Sequence, residues 1–388
     1  MLLEHSLEAH PYLKSLEKTK EEKKATSNAY LSRFFPSTSA SFTASKVNDY
    51  SKLQTVLGLS ATQKIIDLGA AQDLTVAKSN YTLADYQKQL GHDYVQAKVE
   101  FTFLAAWLQT QRKDVIESLK KSSYSTFQRA QAQFNAGTTS RNDLMVAAAI
   151  HATNLKTIEQ YENELDDAFV ALEKATNLSF RKNKIYENLE WNPHKNIDIP
   201  NIKTALQQAS VNRKELYVNS QEADSAKQQE LAYKKDYLPT LGLYGTWQRR
   251  QDSTATDPYN AHEAGLAASW NFFDGGNSYF NSQAYHARNL RLHEDRLATL
   301  QTIDSEVRSA HHSLLVNLRD LQLKDVQLSK EKDTFEQQKS RFESGLLVQS
   351  EYDAAIYTWN TAQINWLQQK INAETARKVL EAKCGYPK

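Results

Sequence analysis

The chain has 388 residues, with 47 Lys and Arg against 46 Asp and Glu, so no net field points to nucleic acid or an acidic partner. Eleven Gly and seven Pro are too few to punctuate many short elements, which predicts long helices. The one cysteine, Cys384, excludes an intrachain disulfide and reads as a free surface thiol.

The first residues, "MLLEHSLEAH", lack the basic start and apolar core of a signal peptide, and no run reaches the 18 or more apolar residues of a spanning helix. If the protein is exported, the expectation is that its signal is absent from this sequence. A helix is predicted first, then strands within about 35–66. In "KLQTVLGLSATQKII", Leu53, Thr55, Leu57, Leu59 and Ala61 alternate with Gln54, Val56, Gly58, Ser60 and Thr62, which is the period of a strand. Phe35 to Val47 is its predicted partner, across a polar loop at 48–52. A very long helix follows over about 70–134, with Leu104, Leu108, Val115 and Leu119 on its apolar stripe. Gly137 suits the left-handed position at its end, and a second helix runs over about 140–176. Residues 177–200 lose periodicity, and Pro193 and Pro200 mark a linker.

The second half repeats the first. Gly58, Leu59, Ala61, Asp67 and Gly69 correspond to Gly265, Leu266, Ala268, Asp274 and Gly276 at an offset of 207. Phe134, Gly137 and Asp143 correspond to Phe342, Gly345 and Glu351 at an offset of 208, and Pro36 to Pro239 at 203. Residues 1–200 and 201–388 are therefore read as tandem copies, each running helix, strand, strand, very long helix, turn, helix. In the second copy the strands fall within about 237–272. Leu241, Leu243 and Trp247 face one way in one strand, and Ala264, Leu266, Ala268, Trp270 and Phe272 in the next. The long helix covers about 277–342 and the last helix about 349–383. From Leu300, apolar residues recur every seven positions at Val307, Leu314, Leu321, Leu328, Phe335 and Phe342, with Ile303 and Ala310 beside them. That is coiled-coil spacing on a helix of about 100 Å.

The fold expected is mainly α with a small β part, built from long helical hairpins and four strands. Strands of this length match a tilted bilayer crossing, but four cannot close a barrel, and an open edge in hydrocarbon costs several kcal/mol per unpaired group. Copies of the chain would have to supply the rest. The alternative is a soluble coiled-coil scaffold with a capping sheet. No phosphate loop, dinucleotide fingerprint or Cys/His cluster is present, so neither an enzyme, a cofactor nor a metal site is expected. The adjacent His311 and His312 diverge on a helix and read as surface residues; Glu162, Glu164, Asp166 and Asp167 read as a solvated face. Tyr124, Phe127, Tyr357, Trp359 and Trp366 read as packing residues.

The ordered set "YLPTLGLYGTW", "GLAASWNFFDGG" and "RFESGLLVQSEYDAA", repeated in the first half as "RFFPSTSASF", "GLSATQKIIDLG" and "AQFNAGTTSRNDLMVAAA", resembles the TolC-type outer-membrane efflux and secretion ducts. The resemblance implies a homotrimer with a twelve-stranded barrel in the outer membrane of a Gram-negative bacterium and a twelve-helix α-barrel in the periplasm. It implies partners: a periplasmic adaptor and an inner-membrane pump or ABC transporter, with outer-membrane lipid around the barrel and no nucleic acid. It assigns adaptor docking to the two hairpin turns, Gly137, Thr138, Thr139 and Ser140, and Gly345, Leu346, Leu347 and Val348. It places Glu351 at a periplasmic aperture, with Asp143 as its counterpart and Asp353 nearby. A threefold carboxylate ring there would select cations; helix N-terminal stabilisation is the alternative reading of all three. Some members carry a basic residue in the turn where this chain has Leu347, while Arg141 sits in the other repeat. Trp247, Trp270, Tyr237 and Tyr244 are candidates for an aromatic girdle, with core packing as the alternative.

Overall fold

The structure is a computed structural model that describes residues 2–46, 54–179, 199–251 and 257–385. Eight helices and four strands are found among them: α1 (Leu2–Ala9), α2 (Pro11–Ser32), β1 (Ser37–Ser45), β2 (Gln54–Ile66), α3 (Leu68–Asn135), α4 (Arg141–Thr176), α5 (Ile202–Asn212), α6 (Lys214–Lys235), β3 (Thr240–Gln251), β4 (Tyr259–Ser269), α7 (Asn277–Glu343) and α8 (Gln349–Cys384). The fold class is as expected, mainly helical with one small antiparallel sheet. The long helices α3 and α7 have 68 and 67 residues, and α4 and α8 have 36 each. The first helix of each half is in fact two helices, broken at His10 and at Arg213. The predicted linker, with Pro193, and the loop at 48–52 lie almost wholly outside the described residues.

Compact packing divides the chain into two units that each draw on both halves. One comprises Ser15–Leu90 and Lys214–Leu300, the other Met1–Lys14, Gly91–Arg213 and Gln301–Lys388.

The first unit holds the sheet, in the order β1-β2-β3-β4, all antiparallel. The two predicted hairpins are thus joined through β2 and β3, leaving β1 and β4 as edges. Asp67 and Asp274, matched by the repeat, explain themselves as helix starters. Ala70 N–H donates to the Asp67 carboxylate at 2.8 Å, and Ser278 N–H to that of Asp274 at 2.7 Å. These bonds satisfy donors that the first turns of α3 and α7 leave open. The helices of this unit meet over small residues. Ala223, Ala226 and Leu292 form one buried cluster, and polar side chains cross the seams, as in Gln72 to Gln228 at 2.6 Å and Gln221 to Ser79 at 2.7 Å.

In the other unit the heptad stripe of α7 is the core. Val307 and Leu314 are fully buried, with Ile303 and Ala310 beside them. Further along, Phe335 stacks on Trp359 and Phe342 on Tyr352, the latter at 4.5 Å, so α7 and α8 are zipped to their ends. On the other hairpin, Ala106, Trp107, Leu108, Phe169 and Leu172 pack with Ile371, and Ile116 packs with Ile158 and Tyr161. Cys384 corrects the expectation of a surface thiol: it is buried at the end of α8, and burial pushes its thiol pKa up. His311 is only half-buried, as expected of a helix surface, but its Nε2 donates to the Pro200 carbonyl at 3.0 Å. Glu164 of the acidic face pairs with Arg112 at 2.7 Å.

Candidate functional site: an inverted sheet and two hairpin turns

The register of the sheet sorts its residues onto two faces, because cross-strand partners share a face and neighbours along a strand alternate. One face carries Ala40 and Phe42 of β1, Leu57, Leu59 and Ala61 of β2, Leu241, Leu243 and Trp247 of β3, and Ala264, Leu266 and Ala268 of β4. The other carries Ser37, Ser39, Ser41 and Thr43, then Gly58, Ser60 and Thr62, then Thr246 and Gln248, then Glu263. A water-soluble sheet shelters its apolar face. Here Phe42 is 70% exposed, Leu266 66% and Leu59 51%, whereas Gly58 is buried and Ser60, Thr246 and Gln248 are half-buried. Only the middle of the polar side is less exposed, since Ser37, Ser39, Ser41, Thr43, Thr62 and Glu263 on it are exposed too; hydroxyls line it, with Ser39 and Ser60 oxygens 2.7 Å apart.

The girdle candidates divide between these faces. Trp247 lies on the apolar face. Trp270 follows β4 directly, 63% exposed, with its ring N–H donating to the Tyr237 carbonyl at 2.9 Å. Tyr244 lies on the other, polar face, where its hydroxyl donates to Glu263 at 2.6 Å. Residues missed from the sequence complete the rim near Trp270. Phe273, Tyr279 and Phe280 are 74%, 56% and 68% exposed, beside Phe272 at 75%, expected on the strand face but lying past the end of β4. Their clustering just past the strand, in "WNFFDGG" and "SYF", was the available signal.

The two hairpin turns share one backbone. Gly137 has φ +73° and Gly345 φ +72°, the left-handed conformation that ends each long helix. In each turn the glycine N–H and the next one reach back, Gly137 to Phe134 and Thr138 to Gln133, Gly345 to Phe342 and Leu346 to Arg341, at 2.9 to 3.0 Å. This paired arrangement closes a helix C-terminus.

Beyond the glycines the turns differ, and so do the three carboxylates. Ser140 caps α4: Asp143 N–H donates to its hydroxyl at 3.1 Å, while Ser140 N–H donates back to the Asp143 carboxylate at 3.2 Å. The Ser140 hydroxyl and backbone, then the Thr139 hydroxyl, hold the Asp143 pKa below its usual value. Asp353 is tied to the other hairpin, accepting from the Thr126 hydroxyl at 2.7 Å and from Arg129 at 3.2 Å. Of the three, only Glu351 has an exposed carboxylate with no hydrogen bond among the described residues. Its helix begins at Val348, which offers no side-chain cap. Glu351 and Leu347 line an open groove of about 440 Å³ between α7 and α8, with Phe335, Arg341, Ala354 and Thr358. Leu346 and Val348 are 73% and 61% exposed.

With this geometry in hand, residues 205–385 match the family described as "Outer membrane efflux protein". The match lies within the second repeat, which is therefore similar to that family. Among curated proteins none matches the sequence. Solved structures extend the fold of the efflux domain to the whole chain. The Campylobacter jejuni CmeC outer membrane channel aligns over 99% of this chain and 84% of its own, with TM-score 0.83 and 16% identity. The Vibrio cholerae outer membrane protein VceC aligns over 99% and 95%, with TM-score 0.76 and 14% identity. The Neisseria gonorrhoeae MtrE outer membrane channel aligns over 99% and 88%, with TM-score 0.73 and 14% identity. The resemblance carried by the repeated motifs is thereby shown at the level of the fold, and with it the first half of the chain, which the family match leaves out.

Proposed function

We propose that this chain is one protomer of a trimeric outer-membrane exit duct, a passive conduit serving an efflux pump or a type I secretion system. The observation that supports it most is the two-faced sheet, with Phe42, Leu59, Leu243 and Leu266 exposed on one face and a row of hydroxyls on the other. That polarity is right for lipid outside and water inside. The edges β1 and β4 would leave backbone groups unpaired in hydrocarbon, so β1 of one copy pairs with β4 of the next and three copies close twelve strands. No described helix is long and apolar enough to cross a membrane. Trp247, Trp270 and Tyr237, with the aromatic cluster that follows Trp270, serve as the girdle at the two surfaces. A soluble scaffold would leave Phe42, Leu59 and Leu266 in water with no compensating burial. Purification tests the choice. The duct is a detergent-dependent trimer that conducts ions in planar bilayers; a monodisperse monomer stable without detergent would overturn the reading.

The hairpin turns, 137–140 and 345–348, are the surfaces that meet a periplasmic adaptor. Leu346 and Val348 offer apolar contact where the first turn offers Thr138 and Thr139. At the aperture Glu351 is the cation-selecting residue. Asp143 is engaged by its capping box and Asp353 by Thr126 and Arg129, so both act as structural carboxylates. Glu351→Gln therefore relieves divalent-cation block of single-channel current, while Asp143→Asn leaves it unchanged. Equal block in wild type and E351Q removes Glu351 from the role.

A further inference from the structure

The apolar face of the sheet also carries Gln63, Gln251, Asn260 and His262, but one residue on it stands apart by its fixed charge. Among its described strand residues Arg249 is the only Lys or Arg, and no Asp or Glu shares the face. It sits in the row Phe42, Leu57, Arg249, Asn260, and its side chain is exposed. Rows on one face are two residues apart along a strand, so depth can be read from the register. Trp270 follows Ser269, the partner of Thr240, which places it opposite position 239; Trp247 is eight residues further along β3. At about 3.3 Å per residue and a tilt of about 40°, the two tryptophans are separated by about 20 Å along the membrane normal, close to the height of a barrel's apolar band. Arg249 lies one row beyond Trp247, about 5 Å further out by the same reckoning. That is headgroup depth, where an arginine on the lipid face of a barrel costs little and where acidic groups of lipids are concentrated.

We propose that Arg249 binds the phosphate of a lipid headgroup in the leaflet at the loop end of the barrel. The guanidinium presents a planar fork of donors that matches a phosphate, and the Asn260 amide in the same row adds a further donor. Phe42 and Leu57, 70% and 43% exposed in that row, receive the upper part of the acyl chains. Lys46 extends the positive rim past the end of β1, at the position that continues the same face. Arg250, the next residue, points to the polar side and takes no part, because alternation carries it to the row of Thr43, Val56 and Tyr259.

This inference rests on the duct reading, and its test keeps the two apart. The purified trimer is placed in neutral detergent doped with phosphatidic acid, diacylglycerol of the same chains, or inorganic phosphate, and retained lipid is counted by native mass spectrometry beside the thermal midpoint. Trimer formation is scored first and reports on the duct alone. The wild-type trimer retains phosphatidic acid and is stabilised by it, whereas diacylglycerol and inorganic phosphate do neither. Arg249→Gln weakens retention about tenfold, the share of one charge-assisted hydrogen-bond pair, while R249K loses less and R250Q nothing. An R249Q trimer that retains phosphatidic acid as well as wild type overturns the proposal. So does equal retention of diacylglycerol, or equal stabilisation by inorganic phosphate, which would make the site one for apolar chains or for small anions.

Discussion

Leu243 separates a lipid-facing sheet from a water-facing one. It sits on the apolar face of β3, 47% exposed, four residues from Trp247 and four from position 239 opposite Trp270, and so near the middle of the band. On a soluble sheet, Leu243→Arg at such an exposed site changes stability by no more than about 0.5 kcal/mol. At the midplane of a membrane barrel an arginine on the lipid face costs about 2–4 kcal/mol. That is about 30- to 1000-fold in the folding equilibrium per protomer, and the three copies of a trimer multiply it. The control is Thr246→Arg, on the polar face directly across from Glu263, where on the duct reading a lumenal charge is solvated and has a carboxylate nearby. Both variants are refolded into phosphatidylcholine vesicles and unfolded with urea, followed by tryptophan emission. The expected result is a large loss for L243R and a small one for T246R. Equal midpoints for L243R and wild type would refute the assignment of faces.

Three further outcomes follow from the helical unit. Gly345→Ala forces a Cβ into φ +72° with open space around it, so conformational strain alone costs about 1–2 kcal/mol; G345N loses less, and thermal melts of the two rank them. Arg129→Ala removes the charged partner of Asp353, a contact worth about 1–3 kcal/mol at its partial burial, and the loss is non-additive with Asp353→Asn in a double-mutant cycle. Glu306 is partly buried, which would raise its pKa, but hydrogen bonds from Lys383 and Arg213 outweigh this and hold the pKa below the usual 4.5. A depressed carboxylate stabilises the fold above its unfolded pKa and loses that stabilisation as pH falls through the folded value. Thermal midpoints of wild type therefore drop more steeply below about pH 4.5 than those of Glu306→Gln; parallel curves would count against the network.

Much of this fold is legible because its signals are local. A seven-residue stripe of Val307, Leu314, Leu321 and Leu328 defines α7 without help from the rest of the chain, and Gly137 and Gly345 end their helices through a torsion only glycine adopts freely. Period-two alternation places the strands and even their faces. The break between α1 and α2 had a signal in Pro11, which starts α2 at the position where proline is tolerated. The break between α5 and α6 had none. Arg213 there is extended, with φ −65° and ψ 114°, and its side chain reaches Glu306 and the Lys383 carbonyl. Close by, Gly385 leaves room for Asn212, whose Cβ would lie 2.8 Å from any Cβ at that position. Contacts with α7 and α8, 93 to 170 residues away in sequence, fix that corner, so no window of sequence could contain it. The same holds for the candidate site. Asp143 announces its cap through Ser140 three residues earlier, but nothing near Asp353 names Thr126 and Arg129 as its partners, 227 and 224 residues away.

The difference between the two turns bears on what duplication achieves. A tandem repeat in a trimer presents six hairpins around one axis, and identical repeats would present six identical carboxylates. Here the backbones of the turns superpose in kind, with the same left-handed glycine and the same pair of reaching-back bonds, while the side chains diverge. Ser140 engages the Asp143 carboxylate through its hydroxyl and its N–H, whereas Val348 has no side-chain hydroxyl to offer Glu351. In the proposed trimer, three copies then expose three free carboxylates and keep three as caps. Three charges repel one another less than six in the same constriction and need fewer counter-ions to close it. Restoring symmetry is a direct check. Val348→Ser gives Glu351 the hydroxyl of a capping box, stiffens the start of α8, and draws the carboxylate back into its own helix. Cation block of the channel should then fall toward that of Glu351→Gln while the trimer stays intact. Block unchanged in V348S, in a trimer whose α8 start shows the slower amide exchange of a formed cap, would mean that the free carboxylate is not what the cation meets.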